Sequence, residues 1–119
     1  MGAAVLVVIS ACGSSSPTPA ASTPTVGTAG VHLGAPTVHI TATDQLLFSP
    51  AMATANVGNI VQWTSAGTAQ HTVTFDSHSE LSDVSLVPGG TWEVKFTAAG
   101  TYPYKCTVHP GMNGTIVVS

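Results

Sequence analysis

The sequence predicts an all-β domain, a small sandwich or barrel of about seven to eight strands. Three observations carry that reading. From Thr37 onward, short β-prone runs alternate with turn signals. Within several runs apolar and polar side chains alternate, the pattern of a strand with one buried face. No window sustains a helical apolar period for longer than a turn or two.

Composition narrows the function classes. The chain has 119 residues and seven charged side chains: Lys95 and Lys105 against Asp44, Asp76, Glu80, Asp83 and Glu93, for a formal net charge of −3 with five histidines neutral. Charged residues make up 6 % of the chain, where about 25 % is usual. Two lysines cannot make the phosphate contacts on which nucleic-acid binding rests, so that class is excluded. A hydrophobic content of 44 % rules out a disordered acidic tail. The length suits one domain.

The first third carries no charge, since Asp44 is the first charged residue. Ala3–Ile9 is a seven-residue apolar run, too short to span a bilayer, which takes about 20 residues. It suits the apolar core of a secretory signal. The following Ile9-Ser10-Ala11-Cys12 resembles the lipobox of bacterial lipoproteins. The resemblance implies a signal peptide over residues 1–11, lipidation at Cys12, a membrane anchor and an extracytoplasmic location. Residues 12–36 are rich in Gly, Ser, Thr, Pro and Ala. Such a stretch cannot bury enough apolar area to offset its ordering entropy, so it reads as a flexible linker. The folded domain is expected over 37–119.

The expected strands are Val38–Ala42, Leu46–Phe48, Ile60–Thr64, His71–Phe75, Val84–Val87, Thr91–Thr97, Tyr102–Cys106 and Thr115–Val118. Ser49-Pro50, Gly58-Asn59, Ala66-Gly67, Pro88-Gly89-Gly90, Ala99-Gly100 and Pro110-Gly111 punctuate them. Parity assigns the faces. Val38, Ile40 and Ala42 point inward, leaving His39 outside. Trp92, Val94 and Phe96 point inward, with Glu93 and Lys95 facing out. His71 shares an inner face with Val73 and Phe75, and Cys106 shares one with Tyr102 and Tyr104. Two potential ligands therefore point into the core from strand ends. His32, in the linker, and His78, in the Ser77–Ser82 loop, read as solvated.

Cys106-Thr107-Val108-His109-Pro110-Gly111-Met112 places a thiol, an imidazole and a thioether at spacing C-x2-H-x2-M. Fully extended, six residue steps span about 20 Å. Ligands of one ion sit within a few ångströms of each other, so the loop has to fold back, and Pro110 and Gly111 are residue types that allow it. His71 adds a second imidazole. Two His, one thiolate and a thioether match the trigonal His2Cys site with a long axial Met that binds copper in electron-transfer proteins. A thioether argues against structural zinc, which prefers four Cys or His ligands. Covalent haem needs C-x-x-C-H, which is absent. A Cys–His nucleophile needs a cleft and an oxyanion site that so small a sandwich rarely supplies, so the chain reads as a carrier and not an enzyme.

The pattern G-T-Y-x-Y-x-C-x2-H-x2-M-x-G over Gly100–Gly114, with Val61-x-Trp63-Thr64 leading to His71-Thr72-Val73-Thr74-Phe75 upstream, resembles the cupredoxins of the plastocyanin and amicyanin group. The short final spacing, with Pro110 directly after His109, is nearer to amicyanin. The resemblance covers about Leu46 to Val118. It implies a Greek-key β-sandwich, one type 1 copper ion, and His71, Cys106, His109 and Met112 as its ligands. It also implies one-electron exchange with redox-protein partners, with the edge of His109 as electron port. A copper carrier or buffer would use the same ligands and is the alternative. Ser65 and Thr72 stand where relatives often carry Asn, and Pro110 lacks an N–H that could reach the cysteine sulfur. A weakly charged patch of Val108, Pro110, Gly111 and Met52 suits brief docking by a monomer.

Overall fold

The computed structural model describes Gly2 and residues 25–119. Ten strands form there: β1 (Gly27–Gly30), β2 (Val38–Ala42), β3 (Phe48–Ser49), β4 (Met52–Ala55), β5 (Ile60–Ser65), β6 (His71–Phe75), β7 (Asp83–Leu86), β8 (Thr91–Phe96), β9 (Gly100–Lys105) and β10 (Asn113–Val118). A 3-10 turn at Ser79–Leu81 precedes β7. The strands make two five-stranded sheets, ordered β1-β8-β5-β2-β3 and β4-β10-β9-β6-β7. β2 runs parallel to β5, and β4 parallel to β10; the other neighbours are antiparallel. The chain changes sheet between β3 and β4, β4 and β5, β5 and β6, β7 and β8, and β8 and β9.

Alternation builds the core. From the first sheet come Ile40, Val61, Trp63, Val94 and Phe96, and from the second Val73, Phe75, Tyr102, Tyr104, Ile116 and Val118, all buried. Burying one such side chain contributes about 1.5–3 kcal/mol. The Trp63 ring meets Tyr104 edge-on at 5.3 Å between centroids and Phe75 at 5.8 Å. Such pairs add about 0.5–1.5 kcal/mol beyond their area. Burial pushes the Tyr104 phenol up to about 12; the Trp63 indole, beside it but outside hydrogen-bonding geometry, opposes that rise. The aromatic stack ends two residues short of Cys106, so the packed centre and the cysteine form one continuous block.

Several sequence expectations are corrected. The signal segment and Cys12 lie outside the described residues. The stretch read as linker up to Pro36 contains β1, which pairs with β8 from Gly27 opposite Phe96 to Gly30 opposite Glu93. Small side chains permit this. A Cβ on Gly27 would collide with the Lys95 carbonyl, so only glycine lies this close to the β8 backbone. The ordered domain therefore begins ahead of Thr37. Strand β4 was absent from the expected set because Met-Ala-Thr-Ala has weak β preference; its parallel pairing with β10 supplies the order. The Leu46–Phe48 run becomes a turn followed by Phe48–Ser49, with Leu46 at φ +63.

Glu93 does lie on the outer face of its sheet, but it is buried, not solvated. The segment after β1 crosses over it. The Leu33 N–H donates to Glu93 Oε1 at 2.7 Å, and Gln62 Nε2 donates to Oε2 at 2.9 Å. His39 is exposed, its Nδ1 3.3 Å from Gln62 Oε1. His32 is exposed, 3.9 Å from Glu93 Oε1. His78, expected in solvent, is half-buried against the Tyr102 ring and 3.4 Å from Glu80.

Candidate metal centre

The three nitrogen and sulfur donors converge from two directions. β6 begins at His71, and β9 ends at Lys105, one residue before Cys106. Because β6 and β9 are antiparallel, with Phe75 opposite Tyr104 and Thr74 opposite Lys105, the start of one lies beside the end of the other. His71 and Cys106 therefore meet at one pole although 35 residues separate them. The loop then reverses as its composition indicated. The Cys106 N–H donates to the Met112 carbonyl at 2.9 Å, and the Met112 N–H donates to the His109 carbonyl at 3.2 Å. Gly111, at φ +86, takes the left-handed conformation that closes this turn.

The donor atoms of His71, Cys106 and His109 all lie within 4.8 Å of one another. Cys106 Sγ stands 3.9 Å from His71 Nδ1 and 3.5 Å from His109 Nδ1. An ion with a metal–sulfur bond of about 2.3 Å and a metal–nitrogen bond of about 2.0 Å, meeting at 120°, sets sulfur and nitrogen about 3.7 Å apart. The donor set therefore fits one ion with little rearrangement. His71 and Cys106 are buried while His109 is half-buried. Met112 is also buried, on the return limb of the same loop. Cys106 forms no disulfide among the described residues.

Surrounding groups hold the donors in place. The Thr72 N–H donates to Cys106 Sγ at 3.3 Å. The Thr107 N–H donates to Thr72 Oγ1 at 2.9 Å, and that hydroxyl also meets Thr107 Oγ1 at 3.2 Å and Thr74 Oγ1 at 3.0 Å. The threonine following His71 thus ties the ligand strand to the ligand loop. Thr107 was not singled out in the sequence, because its partner lies 35 residues away. Burial lowers the pKa of His71, and His109 acts in the same direction; Asp44 and the Thr43 carbonyl oppose them. A depressed imidazole pKa keeps nitrogen lone pairs free for a metal at neutral pH. His71 Nε2 finds no hydrogen-bond partner among the described residues. Around the pole, Val108 is exposed, as are Pro110 and Gly111, and Met52 is exposed on β4.

Comparison with known proteins agrees with this geometry. The family described as copper binding proteins, plastocyanin/azurin family, matches residues 35–119. Amicyanin-alpha of Methylorubrum extorquens is 40 % identical over 65 residues, covering 51 % of this chain and 55 % of its own length. Plastocyanin of Scenedesmus fuscus is 34 % identical over 85 residues, covering 61 % of this chain and 87 % of its own. Among solved structures, a reduced Cu(I) amicyanin variant at pH 4 superposes with a TM-score of 0.64 at 25 % identity, covering 81 % of this chain and 95 % of that one. The match over 85 consecutive residues, together with the cluster of His71, Cys106 and His109, makes this chain a member of the plastocyanin/azurin family of copper-binding proteins.

Proposed function

We propose that the protein is a one-electron carrier that uses His71, Cys106, His109 and Met112 to hold a single type 1 copper ion. The convergence of two imidazole nitrogens and one sulfur within 4.8 Å carries this reading. Bound copper supplies the Cu(II)/Cu(I) couple. The chain supplies a site that changes little between the two states. Cys106 is packed against the core, held by the Thr72 N–H and by its own N–H bond to the Met112 carbonyl. His71 is fixed by the start of β6, and Met112 by the closed loop. His109 is the donor with solvent access, framed by Val108 and Pro110, so its edge is the port through which a partner exchanges the electron. Relatives named amicyanin and plastocyanin support a redox-protein partner and a location outside the cytoplasm. Lipid attachment at Cys12 would hold the domain at a membrane surface.

The test is addition of Cu(II) to the metal-free protein, followed by visible absorption. An intense thiolate-to-copper band is expected, abolished by Cys106→Ser. A colourless parent would overturn the assignment. Copper retention then separates electron transfer from copper delivery. A carrier of electrons keeps its ion through repeated reduction and reoxidation, whereas a copper carrier surrenders it to an acceptor.

A further inference from the structure

The loop that delivers His71 is held by a residue far from it in sequence. Between β5 and β6 the chain runs through Ala66, Gly67, Thr68, Ala69 and Gln70. None of these is a donor to the metal centre, yet their backbone sets where His71 enters the site. Asp44, in the turn after β2, reaches across to them. Its Oδ1 accepts from the Thr68 N–H at 3.0 Å and from the Ala69 N–H at 2.9 Å, and its Oδ2 accepts from Thr68 at 3.2 Å. Gly67, at φ +85, lies against the carboxylate so closely that a Cβ there would collide with it. The Ala66 N–H donates to the Ala42 carbonyl at 2.9 Å, so the two loops are joined just before the Asp44 contact as well. On the other side, Ser65 Oγ donates to the Ala69 carbonyl at 3.2 Å.

From this geometry we infer that Asp44 is a positioning residue for the metal centre, one that clamps the 66–70 loop behind His71 and places a fixed negative charge beside the site. The inference rests on His71 being a copper ligand. Two effects follow, and they are separable. The clamp acts through Oδ1, which receives the bonds from both amides. Restricting the loop restricts the imidazole, as outer residues around a metal site commonly do. The charge acts at longer range. A negative group near the ion stabilises the more positive state, so it favours Cu(II) over Cu(I) and lowers the reduction potential. No short-range sequence signal reveals this link, since 24 residues separate Asp44 from Thr68.

Two variants separate the effects. Asp44→Asn keeps a carbonyl oxygen in the place of Oδ1 and removes the charge. Asp44→Ala removes both. Because Asp44 is exposed, neither change disturbs the core. In the metal-free protein, amide exchange at Thr68 and Ala69 is expected to accelerate markedly in Asp44→Ala and little in Asp44→Asn. In the copper-loaded protein, Asp44→Ala should lose its ion to a chelator about tenfold faster, the lower end of the effect of outer-residue changes. Asp44→Asn should retain copper nearly as the parent does. The reduction potential should rise in both. Unchanged amide exchange in Asp44→Ala would remove the clamp, and an unchanged potential in both variants would remove the electrostatic role. A parent that takes up no copper would overturn the ligand assignment, and with it the role at the metal, while the exchange result would still report on the clamp itself.

Discussion

Met112 is buried on the return limb of the ligand loop, with its backbone engaged to His109 and Cys106. In the proposed ligand set its thioether is the weak axial donor, and removing such a donor favours the reduced ion, which needs fewer donors. Met112→Leu conserves volume, so the protein should remain folded and coloured while its potential rises by on the order of 59 mV, the equivalent of a tenfold change for one electron. Voltammetry checks this, and an unchanged potential would count against axial ligation. His71 yields a second expectation, for the metal-free protein. Burial lowers its pKa in the folded state below the ordinary value of 6.5. The unfolded chain then binds the proton first as pH falls. Stability should decline as pH drops through 6.5 toward the folded value, and level off once both states are protonated. Urea midpoints measured across this range report it, and His71→Gln should reduce the slope. That His71, Cys106 and His109 share one pole was legible in the sequence because strand parity and loop spacing are local; Met112 was legible only as a thioether on the same loop. The Thr72–Thr107 tie and the Asp44 clamp were not, because each joins residues that only the folded topology brings together.

At the scale of elements, the runs with strong β preference were read correctly from their composition and alternation. His71–Phe75 and Val38–Ala42 occupy the predicted residues. What escaped were strands whose order comes from a neighbour. β1 is Gly-Thr-Ala-Gly and has little intrinsic preference, but it completes the edge of a sheet whose β8 backbone would otherwise be bare. The following segment then covers Glu93, turning an outward carboxylate into a buried one with two donors. Parity reports the side of a sheet and not what lies over it. The close approach of Gly27 to Lys95 makes β1 testable. Gly27→Val should cost about 1–3 kcal/mol, the usual range for overpacking, read as a lower urea midpoint. No change in the midpoint would mean that β1 contributes nothing to the folded state. Loss of the edge strand should also loosen the cover over Glu93 and speed exchange of the Leu33 amide.

Across the whole molecule, two lysines and five acids leave little field to guide a partner. Strongly steered pairs gain 10-fold or more in association rate and lose it as salt rises. Electron exchange between this protein and a partner should instead vary by no more than about twofold over the same range of salt. Stopped-flow rates measure it, and a steep decline would show that the few charges are concentrated on the docking face. The path of β1 adds a vectorial consequence. Gly27 lies opposite Phe96, at the end of β8 remote from Thr91; Thr91 pairs with Thr64, beside the Ser65 that leads into the His71 loop. The polypeptide therefore enters the sandwich near one pole and presents its sulfur and imidazoles at the other. The point where the chain joins the sandwich and the donor cluster lie a full strand length apart, so a partner can reach His109 without meeting the start of β1.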